Sequence, residues 1–135
     1  MEELRRGLLD TSVVIAREED PSVEPALPQE SSISVATLAE LHFGVLVAKD
    51  LETRQHRLRR LGVIEGSFQP LPIDAGIARA FATVAHAVKA MGRQPRSRVM
   101  DLWIAATALV LNLPLYTRNP GDFAGLEKLI EIRAV

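Results

Sequence analysis

The chain has 135 residues, no cysteine, and 16 Lys and Arg against 17 Asp and Glu, a formal charge of −1. Without cysteine there is no disulfide framework, no thiolate zinc site and no cysteine nucleophile. The near-neutral balance excludes a surface coated in positive charge for non-specific nucleic-acid binding, but not a local basic groove. The length predicts one domain, residues 1–135, around one core. The longest strongly apolar stretch, residues 102–111, is far short of the ~20 residues that span a bilayer. Met1-Glu2-Glu3 is acidic where an export signal needs positive charge. The expectation is a cytoplasmic protein.

In chain order, Gly7-Leu8-Leu9-Asp10 reads as a short buried strand ending in an acid, and Thr11-Ser12 as a helix start before Val13, Val14, Ile15 and Ala16. Residues 18–30, with prolines at 21, 25 and 28, read as a loop with at most one irregular helical turn. Residues 31–34 form a predicted strand, with Ser34 as N-cap of a helix over 35–48 that is apolar almost all round. An arginine-rich, solvated helix follows over 51–61, then a strand over 68–73. Asp74 caps a helix over 75–91, whose apolar residues Ile77, Ala78, Phe81, Val84, Ala85 and Val88 keep a helical period. Gly92 sits where a C-terminal glycine cap belongs. A basic loop over 93–98 precedes a largely apolar helix over 100–112. A strand over 115–117, a loop over 118–125 and a strand over 130–135 complete the chain. Strands alternating with helices predict an α/β fold, a mostly parallel central sheet flanked by helices on both faces. Sites in such sheets form beyond the carboxyl ends of the strands, where Asp10 and Asp122 fall.

The sharpest signal is a mismatch. Asp10, Glu40 and Asp101 are each the sole charge in a segment otherwise destined for the core. Acids are rarely buried without a partner, and an unpaired carboxylate in the interior costs several kcal/mol. Each could instead be local. Asp101 lies in the first turn of its helix, where the dipole favours it by ~0.3–1 kcal/mol, and Glu40 could complete a capping box with Thr37. The alternative is convergence on a shared divalent cation, since Mg²⁺ and Mn²⁺ take oxygen ligands.

Other chemistries fit worse. Neither phosphate-cradling glycine motif is present. His42, His56 and His86 stand in no metal-binding pattern and read as structural or surface residues. Ser12 lies in no nucleophile elbow. Asp10-Thr11-Ser12 lacks the second acid of the aspartyl-phosphate hydrolases. A receiver-like phosphoacceptor is disfavoured for want of paired acids after the first strand.

Four segments carry a resemblance. Leu8-Leu9-Asp10-Thr11-Ser12-Val13-Val14-Ile15 resembles the opening strand and turn of the PIN-domain nucleases. Ser34-Val35-Ala36-Thr37-Leu38-Ala39-Glu40-Leu41, with Gly44, resembles their second acidic motif. Asp101-Leu102-Trp103-Ile104-Ala105-Ala106-Thr107-Ala108 resembles the third, and Thr117-Arg118-Asn119-Pro120-Gly121-Asp122-Phe123 the fourth. The length and two of these runs look most like the VapC-type toxins of bacterial toxin–antitoxin pairs. The resemblance implies a PIN-like domain with an acidic site of Asp10, Glu40, Asp101 and Asp122. It adds Thr11, Ser12, Thr117 and Asn119 as polar support. It implies a Mg²⁺- or Mn²⁺-dependent endoribonuclease, a homodimer, and a cognate antitoxin laid across the groove. Asp10 and Asp101 are then expected as direct ligands. Glu40 is expected as a ligand or as the group orienting water, and Asp122 as holding a second metal or its water.

RNA phosphates need cations, and Arg93, Arg96, Arg98 and Arg118 flank the acids. The cluster Arg54, Arg57, Arg59 and Arg60 reads as a solvated helix face, and Tyr116 and Trp103 as core. The apolar helices over 35–48 and 75–91 carry enough surface for part of it to be an interface. The rival reading is a non-catalytic PIN-like module that binds RNA or protein.

Overall fold

The computed structural model describes residues 4–135; residues 1–3, whose acidity argued against an export signal, lie outside the described residues. The helices are α1 (Thr11–Glu19), α2 (Val35–Leu46), α3 (Leu51–Ser67), α4 (Ala75–Ala90) and α5 (Val99–Leu111). The strands are β1 (Arg6–Leu9), β2 (Glu30–Ser32), β3 (Leu115–Thr117) and β4 (Ile132–Ala134). Three 3₁₀ segments, Pro21–Ala26, Pro95–Arg98 and Pro120–Phe123, punctuate the connections. Among the described residues, no helix is long and apolar enough to cross a membrane.

The four strands make one parallel sheet in the order β2-β1-β3-β4. Side chains alternate across it. Leu8 and Leu115, paired in register, face a core built with α4 and α5. Leu9 and Tyr116, the next pair, face a second core built with α1, α2 and α3. Helices therefore cover both faces, as the alternating strand and helix pattern requires. The chain leaves β1 for β2 on one side and later returns to β3 on the other. A crevice opens at such a reversal, beyond the carboxyl ends of the two central strands.

Helix ends follow local chemistry. Asp10, Ser34, Asp50 and Asp74 cap α1, α2, α3 and α4 through side-chain oxygens that accept backbone amides. Gly92 takes φ +79° after α4. Its amide reaches Lys89 O and that of Arg93 reaches Val88 O, a Schellman closure that satisfies two terminal carbonyls.

Three expectations need correction. The strand over 68–73 does not form: Leu71 alone bridges, to Ser34. Pro70 and Pro72 flank it and remove the amides that a ladder needs. Helix α3 runs on to Ser67 rather than ending at 61, because Leu61 and Ile64 lie one turn apart and are both buried. Its arginines are not merely solvated: Arg57 bonds Gly44 O at 2.7 Å, and Arg54 bonds Val45 O and Leu46 O. They satisfy carbonyls at the C-terminus of α2, where cations are favoured.

The surplus apolar surface divides unequally. The stripe of α4 is spent on α5, with Ile77, Val84 and Val88 buried and Phe81 stacked 4.2 Å from Trp103. The end of α2 and start of α3 leave Phe43, Leu46 and Leu51 about two-thirds exposed (65, 69 and 70%). Tyr116 is a core residue, as expected, and Trp103 is half-buried, packed against the core. His42, His56 and His86 lie at the surface, the first two against Glu65 and Glu19.

Candidate active site

Asp10 is set by its place between β1 and α1. It is 5% exposed, and its Oδ1 caps α1 by accepting the amide of Val13 at 3.0 Å. Ser12 Oγ donates to the same oxygen at 2.6 Å, and Thr117 Oγ1 donates to Oδ2 at 2.6 Å. These hydroxyls are themselves fixed. Ser12 Oγ accepts the amide of Arg118 and Thr117 Oγ1 that of Asn119. Three donors thus hold one buried carboxylate in a single orientation. Asp10 caps α1, as the local reading expects, and also binds hydroxyls from α1 and β3.

Glu40 stands in the middle of α2. It makes no capping box with Thr37, because Ser34 is the cap. Its Oε1 instead accepts Thr11 Oγ1 at 2.6 Å, and Thr11 lies 3.0 Å from Thr37 Oγ1. A carboxylate can only accept, and a threonine has one hydroxyl hydrogen. The order is therefore Thr37 to Thr11 to Glu40. Thr37, fully buried, is a supporting residue that the sequence assigned only to a cap.

Asp101 lies in the first turn of α5, 27% exposed at its side chain, and Asp122 in the 3₁₀ turn after β3. Burial pushes the carboxyl of Asp101 up to about 6, reinforced by the charges of Asp122, Glu40 and Asp10 and opposed by Arg98. All four acids thus share one electrostatic neighbourhood at the crevice. Arg98 stands among them: Nη1 is 2.5 Å from Asp122 Oδ1 and 3.8 Å from Asp101 Oδ2. Among the described residues, no three His, Asp or Glu side chains stand as a ready-made metal-ligand group. The acids feel one another's charge without touching a common point. The donor set itself, carboxylates backed by hydroxyls, is the hard-oxygen chemistry that Mg²⁺ and Mn²⁺ prefer.

The other expected residues fall into two groups. Arg118 and Asn119 donate their backbone amides to the Ser12 and Thr117 hydroxyls that hold Asp10, and both residues are exposed. Arg93 Nη1 bonds Gly121 O at 3.0 Å and so ties the basic loop to the turn carrying Asp122. Arg96, Arg98, Glu40 and Asp101 line one cavity of about 290 Å³. A larger one beside it, about 410 Å³, is lined by Lys89, Arg93, Gln94 and Arg96 and holds no acid. The two share Arg96 and form one trough, with acids at one end and cations along the rest.

Residues 7–129 match the PIN domain family. The chain is 38% identical over 130 residues to Ribonuclease VapC5 of Mycobacterium tuberculosis, covering 96% of this chain and 93% of that protein. It is 35% identical to Ribonuclease VapC4 of the same species, covering 91% of this chain and 92% of that one. Among solved structures it is similar to VapBC-5 from M. tuberculosis, a member of the VapBC family of toxin–antitoxin systems. The TM-score is 0.78 at 36% identity, with 96% and 97% of the two chains covered. It is also similar to FitAcB from Neisseria gonorrhoeae, at a TM-score of 0.73 and 27% identity, covering 93% and 94%. The fold, the acidic crevice and these likenesses agree, and the chain belongs to the PIN-domain family.

Proposed function

We propose that this protein is a divalent-metal-dependent endoribonuclease acting as the toxin of a toxin–antitoxin pair. The observation that carries the reading is the gathering of four acids from four separate segments at the mouth of the β1–β3 crevice, close enough for the charges of three of them to add to the burial that raises the Asp101 carboxyl. The relatives named ribonucleases VapC give the substrate class.

An RNA phosphodiester is an anion, and bare carboxylates would repel it. Asp10, Asp101 and Asp122, with Glu40 beside them, are the residues that would hold Mg²⁺ or Mn²⁺. When bound, such an ion supplies positive charge against the phosphoryl oxygens and makes water acidic near neutral pH. The chain's own residues do the rest. Thr117, Ser12 and the amide of Val13 hold Asp10 in one orientation. Thr37 and Thr11 hold Oε1 of Glu40, leaving Oε2 to orient the attacking water and accept its proton. Arg96 and Lys89 hold backbone phosphates along the trough, contacts that position RNA without reading its sequence. Arg118, exposed beside Thr117, serves the same purpose from the other wall.

The antitoxin belongs to the same reading, supported by the VapBC likeness. The exposed Phe43, Leu46 and Leu51 offer it an apolar face of the kind that marks interaction sites. A homodimer is also part of the proposal.

The test is cleavage of RNA by purified, antitoxin-free protein with Mg²⁺ or Mn²⁺, beside Asp10→Asn and Asp101→Asn. Wild type cuts and both variants lose activity if the reading is right. Equal cutting by all three assigns the activity to contamination. No cutting by wild type, with RNA still bound, favours the non-catalytic module.

A further inference from the structure

Arg98 stands where local chemistry argues against it. It is the N-cap residue of α5, with φ −128° and ψ 22°, and its side chain makes no capping bond. Ser, Thr, Asp and Asn are the residues that satisfy a helix's first amides, and positive charge is disfavoured beside the positive end of the dipole. Local conflicts of this kind mark functional positions. What the position provides is reach. From the end of the 3₁₀ turn Pro95–Arg98, the guanidinium meets Asp122 Oδ1 at 2.5 Å and Asp101 Oδ2 at 3.8 Å, acids from two different segments. The three side chains are each roughly a third exposed (32, 38 and 27%), so solvent ions reach them.

Resting on the reading of the acids as a divalent-metal site, we propose that Arg98 is the resident counter-ion of the acidic centre, holding Asp101 and Asp122 until a divalent cation displaces its guanidinium.

A guanidinium cannot lose its proton in a protein, so deprotonation does not open the site; the side chain itself has to leave the acids. The carboxylate oxygens it occupies are the ones an ion would take. Its charge is single and spread over a plane, whereas a divalent ion brings two charges to a point, so the ion wins once its concentration is high enough. Apparent affinity falls in proportion to the fraction of molecules whose site is open. The displaced side chain borders the cavity it shares with Arg96, where a phosphate can engage it. Loading the site and arming the trough then become a single event. The bond also explains why the acids lack a ready-made ligand geometry: Asp122 is turned to the arginine.

The experiment is calorimetric titration of metal-stripped protein with Mn²⁺, comparing wild type, Arg98→Met and Arg98→Lys. Arg98→Met is expected to bind about tenfold more tightly, corresponding to an arginine that occupies the site about nine-tenths of the time. Arg98→Lys should fall between, as a charge without the planar fork. Nuclear magnetic resonance of the wild type adds a readout that needs no variant: Mg²⁺ should move the Arg98 Nε–Hε resonance as the side chain is released. Unchanged or weaker Mn²⁺ binding by Arg98→Met overturns the proposal while leaving the metal reading intact. So does an Arg98 resonance that stays in place at saturating Mg²⁺. Should none of the three proteins bind Mn²⁺, the metal reading fails, and the counter-ion proposal falls with it. If Arg98→Met does not fold, Arg98→Lys and the resonance decide.

Discussion

Thr117 donates its hydroxyl to Asp10 across 107 residues of chain, at 2.6 Å, and both residues are buried. That bond joins the carboxyl ends of β1 and β3, the two central strands. It fixes the orientation of the first acid from the same position that starts the loop carrying the last. Asparagine can keep the cap of α1 while removing the charge. Asp10→Asn is therefore expected to fold with stability within ~1 kcal/mol of wild type and to lose RNA cleavage ~100-fold or more. Thr117→Val should do the opposite in kind, costing ~1–3 kcal/mol because Asp10 Oδ2 and the Asn119 amide both lose a partner. Urea melts and single-turnover cleavage assays separate the two outcomes. A large stability loss in Asp10→Asn would contradict the capping account.

Asp101 supplies a pH dependence whose sign is fixed by its surroundings. Its carboxyl titrates near 6 in the folded chain, against an ordinary 3.8, mainly through burial and then through Asp122, Glu40 and Asp10. The folded state thus binds the proton more tightly than the unfolded state. Its contribution is fully present below about pH 4 and is lost as pH rises through about 6. In metal-free buffer, wild type should lose melting temperature relative to Asp101→Asn between about pH 4 and about pH 7, since the amide does not titrate. Parallel curves for the two proteins would show that Asp101 does not feel its neighbours.

The hydroxyl chain from Thr37 through Thr11 to Glu40 places a residue with no charge of its own in support of an acid. Thr37→Val leaves Thr11 without its donor and is expected to cost ~1–3 kcal/mol. The turnover number should fall, with RNA affinity less affected, because Glu40 loses its orientation rather than the trough its cations. Thr37→Ser keeps the hydroxyl and should restore most of the turnover. A valine variant with full turnover would remove Thr37 from the site.

Metal that binds the folded state alone stabilises it by mass action, by ~2.7 kcal/mol at a hundredfold excess over Kd. Saturating Mn²⁺ should raise the wild-type melting temperature and leave Asp101→Asn nearly unmoved. An equal rise in both proteins would place the bound ion elsewhere.

Phe43 is 65% exposed, so Phe43→Glu removes no core contact and should change stability by no more than ~0.5 kcal/mol. Co-purification with the antitoxin should be lost while RNA cleavage persists. Retained capture would move the antitoxin's apolar contact away from the α2–α3 junction.

Much of this protein is local and was therefore legible in its sequence. Ser34 and Asp74 cap helices, as their sequence positions indicate, because a short polar side chain answers the amides two or three residues on. Gly92 ends α4 because it alone takes φ +79° without strain. Three acids stood out because a carboxylate in a core segment has to be compensated from elsewhere. Tertiary structure decided the compensation. The family resemblance named Thr117 and Thr11 as polar support without saying which acid each serves; the fold assigns Thr117 to Asp10 and Thr11 to Glu40. Arg98, three residues from Asp101, read as a hand for RNA until the fold brought Asp122 under it. The failed strand at 68–73 and the extended α3 have the same origin. Periodicity records which residues prefer burial, whereas pairing depends on which amides find an acceptor and which faces find a neighbour. Caps and lone charges are written within a few residues of chain; the partners that gather round them are chosen by the pairing of β1 with β3 and the packing of α2 beside it.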